Sequence, residues 1–278
     1  MHMTTMNELR KRANDIRMLT LRSIAHVGKG HLGGAASLCE LMSVLYFKQL
    51  NVDEKHPGWP DRDRVILSKG HAGPVLYAAL ALRGYFDPKL LETMNALGTS
   101  IPSHCDATRT IGVDVTTGSL GQGFAVSMGI AEGAKLDGKS LHVYPIIGDG
   151  ESQEGLIWEA AMYAGNHALD NIIAFTDYNK MQIDGLVSEV NDLEPIVDKW
   201  KAFKWHVQII NGHQVEEIDC AIDNAKKIKG MPHMIIMNTI KGKGISFAEN
   251  IVTNHSVTVS KGQFQQAYAA LEKVGESL

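Results

Sequence analysis

The chain has 278 residues, 44% of them apolar, and a formal net charge of −4, enough to build a sizeable core in one large α/β domain. No Lys/Arg run marks a nucleic-acid or membrane surface, and the longest apolar stretches, such as Ala78–Leu82, are far too short for a membrane span. The N-terminus lacks an apolar signal-peptide core; Cys39, Cys105 and Cys220 have no metal-ligand spacing and cannot all pair among themselves, so a reducing cytoplasm is the expected location.

Residues 6–25 have helical periodicity, with Leu9, Ile16, Leu19 and Ile24 on one face. The turn GKGHLGG, Gly28 to Gly34, breaks this helix, and a second helical run follows from Ser37 to about Leu50. After the polar turn WPDRDR, the apolar run Arg64–Ser68 reads as a buried strand. SKGHAG opens a helix through Ala81, and Asp87–Leu90 starts another with proline in its first turn. The glycine-rich turn Thr116–Gly123 precedes a helix ending near Gly138. Alternation then sets in. Strands are expected at Leu141–Ile147, Asn171–Thr176, Trp205–Ile210 and His233–Ile240, with helices at Glu154–Leu169, Glu194–Lys201 and Val215–Lys229. Apolar strands alternating with helices of this length imply an α/β fold, doubly wound, with a mostly parallel sheet and helices on both faces. The expected organisation is a single domain, 1–278, with a helical N-terminal extension.

Gly28, Gly30 and Gly33 spell G-x-G-x-x-G, but a dinucleotide loop needs a strand before its first glycine, and here a helix precedes it. A helix–helix turn is the simpler reading, and it leaves His31 to be explained. The string IIGDGESQEG, Ile146 to Gly155, carries more chemistry. Asp149 falls at the carboxyl end of a buried strand, where open α/β sheets place ligands. Gly148 and Gly150 allow close backbone approach to an anion, and the following helix presents free amides. After 28 intervening residues comes Asn179, just past the next strand. Singly, each is an ordinary turn residue; jointly, two oxygen-bearing side chains topping consecutive strands suit a hard cation, Mg²⁺ or Ca²⁺, with phosphate oxygens completing its shell. The Met181 carbonyl is a candidate third ligand.

The spacing GDG-x28-N resembles the diphosphate-binding motif of thiamine-diphosphate enzymes, and the string from Gly148 to Gly185 is similar to its transketolase version. GKGHLGG, LSKGHAGPVLYA, IPSHCD, TTGSLGQG and TIKGKG follow in the order of that family, from Gly28 to about His255. The resemblance implies thiamine diphosphate as cofactor, with Asp149, Asn179 and the Met181 carbonyl holding the metal and Gly150 at the diphosphate. It places His71, Gly118, Leu120, Glu154 and Asn179 around the cofactor and Ile183 near its thiazolium ring. Glu154 would belong to a proton network between two cofactors; an acid stabilising a helix start is the competing reading. His31, His71, His104 and His255 match histidines around the substrate hydroxyls, where neutral imidazoles exchange protons near pH 7. The chain departs from the family's His-Gly by placing Ser256 after His255.

Cys105, Lys241–Gly244 and the tryptophans Trp158, Trp200 and Trp205 are left outside the chemistry, the KGKG segment as a mobile turn. The resemblance covers only the N-terminal, diphosphate-binding part of a transketolase. It implies a split transketolase that moves a two-carbon ketol unit from a ketose to an aldose, both as phosphates by default. Its partner would be a C-terminal subunit carrying the pyrimidine-binding domain, in an α2β2 heterotetramer. The alternatives are a subunit of a deoxyxylulose-phosphate synthase or 2-oxo-acid dehydrogenase, a specialist for sulfo- or branched sugars, and a non-catalytic cofactor-binding subunit.

Overall fold

The computed structural model describes residues 4–278; the first three, included in the expected 1–278 domain, lie outside the described residues. Helix α1 (Met6–Val27) opens with a capping box between Thr5 and Glu8 and closes at Gly28, whose φ of 89° places it in the left-handed region. Leu9, Ile16 and Ile24 are buried along one stripe. A short strand β1 (Lys29–Gly30) follows, then α2 (Gly33–Ala36) and α3 (Cys39–Val44). The single helix expected from Ser37 to Leu50 is therefore shorter. It begins two residues later and widens into a π-turn, Leu45–Gln49, where the Leu50 amide reaches the Leu45 carbonyl.

Next come β2 (Arg64–Leu67), a 3₁₀ turn at Gly70–Ala72 and α4 (Gly73–Arg83). The segment after Asp87 is a 3₁₀ helix, Pro88–Thr93, capped by the Asp87 side chain. The alternating half contains α5 (Gln122–Leu136), β3 (Val143–Gly148), α6 (Gly155–Asn166), β4 (Ile173–Tyr178), α7 (Val187–Val190) and α8 (Ile196–Ala202). It continues with β5 (His206–Asn211), α9 (Val215–Lys227), β6 (His233–Asn238), β7 (Val257–Thr258) and α10 (Lys261–Ser277). The last helix was not expected. It packs Ala267 and Leu271 inward, and Asn14 of α1 donates to the Leu271 carbonyl.

The central sheet has strand order β2-β3-β4-β6-β5, every pairing parallel. Its two faces bury separate cores. One joins α1 to α4 and α9 to the sheet; the other joins α5, α6 and α8, with Trp200 and Trp205 at its centre. This is the doubly wound α/β arrangement, and the near-continuous apolar strands follow from burial on both sides. β3 and β4 are direct neighbours in register, Gly148 opposite Asp177, so the loops bearing Asp149 and Asn179 emerge side by side. A separate antiparallel pair, β1 with β7, holds the His31 turn against the His255 turn.

At Gly165 on α6, a Cβ would lie 1.7 Å from the Phe203 carbonyl oxygen, whereas at Gly262 on α10 it would meet nothing within 4 Å. Gly165→Ala should therefore lower unfolding free energy by about 1–3 kcal/mol or more through overpacking. Gly262→Ala should be neutral or stabilising by up to ~1 kcal/mol. Urea denaturation of both variants checks the contrast.

Candidate functional site

A cavity of about 420 Å³ opens at the carboxyl ends of the sheet strands, a volume suited to a small-molecule ligand. All twelve residues singled out from the sequence line it: His31, His71, His104 and His255, Gly118 and Leu120, Asp149 and Gly150, Glu154, Asn179, Met181 and Ile183.

The floor is built from the strand ends. Asp149 is buried, and its carboxylate accepts from the Gly150 amide at 2.8 Å and from the Lys180 amide, which ties the β3 and β4 loops together. Burial, reinforced by Asp177 nearby, pushes its pKa up to about 7. Asn179 donates its Nδ2 to Asp177 at 3.3 Å, and its Oδ1 accepts from the Met181 amide at 3.1 Å. The Met181 carbonyl lies 3.5 Å from the Lys241 ammonium. Two side-chain oxygens and a carbonyl thus belong to one short stretch of wall, and the acid among them makes no ion pair, although the charges of Lys69 and Lys241 reach it. That chemistry fits a hard divalent cation.

Sequence reasoning missed what supports this floor. Asp177 is fully buried and accepts from the Lys69 ammonium, the Thr239 hydroxyl, the Ser37 hydroxyl at 2.6 Å and Asn179. Burial opposes its ionisation, yet Lys69 and the hydroxyl donors hold its pKa below the usual carboxylate range. Lys69 also donates to the Gly34 carbonyl at 2.9 Å. Glu151 accepts from the Ser68 hydroxyl and from the Gly121 and Gly148 amides, joining the Thr116–Gly123 turn to the strand end. A buried charge inside a strand pattern was the available signal for Asp177 and Lys69. It was masked by the apolar run around the one and by the SKGH turn around the other.

Lys241 requires a correction. The KGKG segment was expected to be a mobile turn, but the Lys241 side chain is buried and lines the cavity. The turn is pinned by the Gly242 amide on the Gly33 carbonyl at 2.9 Å and the Asn250 amide on the Lys241 carbonyl at 2.8 Å. Burial lowers the ammonium's pKa, partly offset by Asp149.

The four histidines form one cluster. His31 lies 5.3 Å from His71, 5.5 Å from His104 and 5.2 Å from His255, centroid to centroid, and His71 lies 4.8 Å from His255. Burial, then Lys69 and the other rings, depresses His71 to about 2; burial and then Lys241 depress His255 to about 4. Burial likewise lowers His31 and His104. All four are therefore neutral near pH 7. Among the described residues no group of three or more His, Cys, Asp or Glu has metal-holding geometry, so the rings are not a metal site by themselves.

Glu154 occupies the cap position of α6 without making a capping hydrogen bond, and its side chain is exposed at the cavity rim. Ile183 is 63% exposed at the same rim. Beside His104, Cys105 is buried and its thiol is pushed up to about 12 by burial, so it is no nucleophile. Trp158 packs 5.0 Å from the buried Trp200, away from the cavity. No helix among the described residues is long and apolar enough to cross a membrane.

Residues 9–272 match the family model of the transketolase thiamine diphosphate-binding domain. The chain is 55% identical over 268 residues to the 6-deoxy-6-sulfo-D-fructose transketolase subunit SqwG of Clostridium sp. (strain MSTE9), covering 96% of this chain and 98% of that one. It is 34% identical to an apulose-4-phosphate transketolase subunit of Phocaeicola vulgatus, over 98% and 95% of the two chains. The crystal structure of transketolase from Campylobacter jejuni superposes with a TM-score of 0.90 at 33% identity, covering 95% of this chain and 42% of that one. The chain thus spans about two fifths of that solved transketolase. Family match, sequence identity and the shared fold agree: the chain belongs to the transketolase thiamine diphosphate-binding domain family.

Proposed function

We propose that this chain is the cofactor-binding subunit of a two-subunit transketolase, transferring a two-carbon ketol unit from a ketose to an aldose. The observation that carries the reading is that a metal-suited floor adjoins four neutral histidines in one cavity. The 55% identity over nearly the whole of a sulfofructose transketolase subunit supports a 6-deoxy-6-sulfo ketose as the preferred donor.

Thiamine diphosphate, when bound, supplies stabilisation of a carbanion at a former carbonyl carbon. The protein's part is placement and proton handling. Asp149, the Asn179 Oδ1 and the Met181 carbonyl would hold Mg²⁺ or Ca²⁺, a hard cation that would offset the charge of the diphosphate. The Gly150 backbone and the Lys241 ammonium would face the diphosphate, while Gly118, Leu120 and Ile183 would flank the rings. His31 and His255 would take the proton from the substrate's C3 hydroxyl as the C2–C3 bond breaks, and His71 and His104 would bind near its C1 hydroxyl. Neutral imidazoles suit both tasks, since each can accept one proton and donate another.

A partner carrying the pyrimidine-binding domain completes this reading, in an α2β2 assembly with Glu154 at the junction between cofactors. Val126, Leu136, Met162 and Tyr163 on α5 and α6 are exposed apolar side chains, available to such a contact. Cys39 and Cys105 are buried free thiols, which suits a reducing cytoplasm.

Ketol transfer from 6-deoxy-6-sulfo-D-fructose or fructose 6-phosphate should require this chain, its partner, thiamine diphosphate and Mg²⁺ together. Full activity of this chain alone would overturn the split, and pyruvate turnover by the pair would move the reading to another thiamine-diphosphate enzyme. Asp149→Asn should weaken Mg²⁺-dependent cofactor binding by at least the ~10–100-fold typical of losing a group that merely orients a ligand; calorimetry reads it. His31→Ala should keep cofactor affinity and lose about 10²–10⁴ in turnover. Because an unfolded histidine binds a proton below about 6.5 while His71 stays neutral down to about 2, His71 contributes a loss of stability as pH falls from 6.5. The slope is ~1.4 kcal/mol per pH unit for such a group. His71→Asn should flatten the acid limb of a stability-against-pH curve.

A further inference from the structure

Behind the cavity wall lies a buried polar chain that the chemistry above does not use. Arg17 on α1 pairs with the Oε1 of Glu40 on α3, and the Oε2 of Glu40 lies 3.1 Å from the Nδ1 of His213, in the loop after β5. The Ile240 amide donates to the His213 Nε2 at 2.8 Å. Side-chain exposures are 7% for Arg17, 12% for Glu40 and 11% for His213. A backbone N–H can only donate, so Nε2 must be the unprotonated nitrogen and Nδ1–H must donate to Glu40. Burial opposes the Glu40 charge, but Arg17 and His213 hold its pKa at about 2. The tautomer is therefore chosen by a permanent carboxylate.

Stability alone does not account for this chain, because well-packed apolar side chains commonly replace a buried ion pair without loss. What an apolar trio lacks is an acceptor for the Ile240 amide. That amide lies beyond the end of β6 at Asn238, where the parallel ladder with β5 stops at Asn211. His213 supplies the acceptor that the sheet no longer provides. The next residue is Lys241, whose side chain enters the cavity and reaches 3.5 Å from the Met181 carbonyl.

We propose that Arg17, Glu40 and His213 are positioning residues that fix the backbone at Ile240 and so aim the Lys241 ammonium at the cofactor's diphosphate. This rests on the reading of Lys241 as the diphosphate-facing cation. The three do not line the cavity; they act through one hydrogen bond.

A double-mutant cycle in the reconstituted two-subunit enzyme tests the assignment, with thiamine diphosphate and Mg²⁺ affinity read by calorimetry and Ile240 amide exchange read in parallel. His213→Ala should weaken cofactor binding about tenfold, the worth of one well-made hydrogen bond, and speed exchange at Ile240. His213→Gln should recover most of the loss, since its amide can accept from Ile240 and donate to Glu40. Glu40→Gln, which keeps shape and removes the charge, should lose several-fold and serves if His213→Ala does not fold. In a Lys241→Met background His213→Ala should add nothing further. Equal losses in both backgrounds, or unchanged affinity in His213→Ala while Lys241→Met weakens binding, would overturn the proposal. If Lys241→Met leaves affinity unchanged, the diphosphate reading of Lys241 fails; unchanged Ile240 exchange in His213→Ala and Glu40→Gln refutes the positioning itself.

Discussion

The site depends on one buried charge. Asp177 sits at the end of β4 with no exposure to water, a placement that costs several kcal/mol unless partners meet it. Four donors do so, from four segments: Ser37 between α2 and α3, Lys69 after β2, Asn179 after β4 and Thr239 after β6. Each segment also forms a wall of the cavity or carries one. Satisfying this carboxylate therefore draws the walls to a common point, and the loss of any donor would leave the charge short of partners in a dry interior. It also settles an orientation. With Nδ2 of Asn179 turned to Asp177, the amide oxygen is left for Met181 and for a ligand.

The same hub also bears on the electrostatics of two of the histidines. Lys69 is directed to Asp177 and to the Gly34 carbonyl, but its charge still reaches His71 and His255, as that of Lys241 reaches His255. Burial disfavours imidazolium in all four half-buried rings, and the two ammonium groups add to it at His71 and His255. A positively charged cluster would also repel any divalent cation bound on the floor. Under the proposed function the lysines would thus help proton handling indirectly, by keeping His71 and His255 neutral. The β1–β7 pair contributes the geometry, since it holds His31 and His255 on two turns joined by backbone hydrogen bonds.

Much of this was legible in the sequence because the signals were local. Asp149, Asn179 and the glycines lie in two short strings at strand ends, and the alternating second half placed the strands to within about two residues. The misread elements are those decided at long range. The helix expected from Ser37 starts at Cys39 and ends in a π-turn, while Ser37 itself turns its hydroxyl toward Asp177, 140 positions away in sequence. Lys241 looked like part of a glycine-rich turn; its burial comes from contacts with Gly33 and Met181 that no local pattern announces. α10 was missed since its polar composition hides a narrow stripe, Ala267 and Leu271, whose partner is α1 at the far end of the chain. Glu40 and His213 carry no motif at all, and only the fold brings them together.

Under the proposed function, metal and diphosphate cannot be independent ligands. Burial and Asp177 raise the Asp149 pKa to about 7, so its ionisation is favoured by a cation bound beside it. An ionised Asp149 without a metal repels phosphate, and Lys241 without phosphate stands 3.5 Å from a carbonyl that the metal would share. Each ligand removes the charge that opposes the other. Linkage then requires each to raise the other's affinity by the same factor. The floor is consequently built for the pair, which is why a single acid, one amide oxygen and one carbonyl suffice where a metal bound by protein alone would need a fuller set of oxygens.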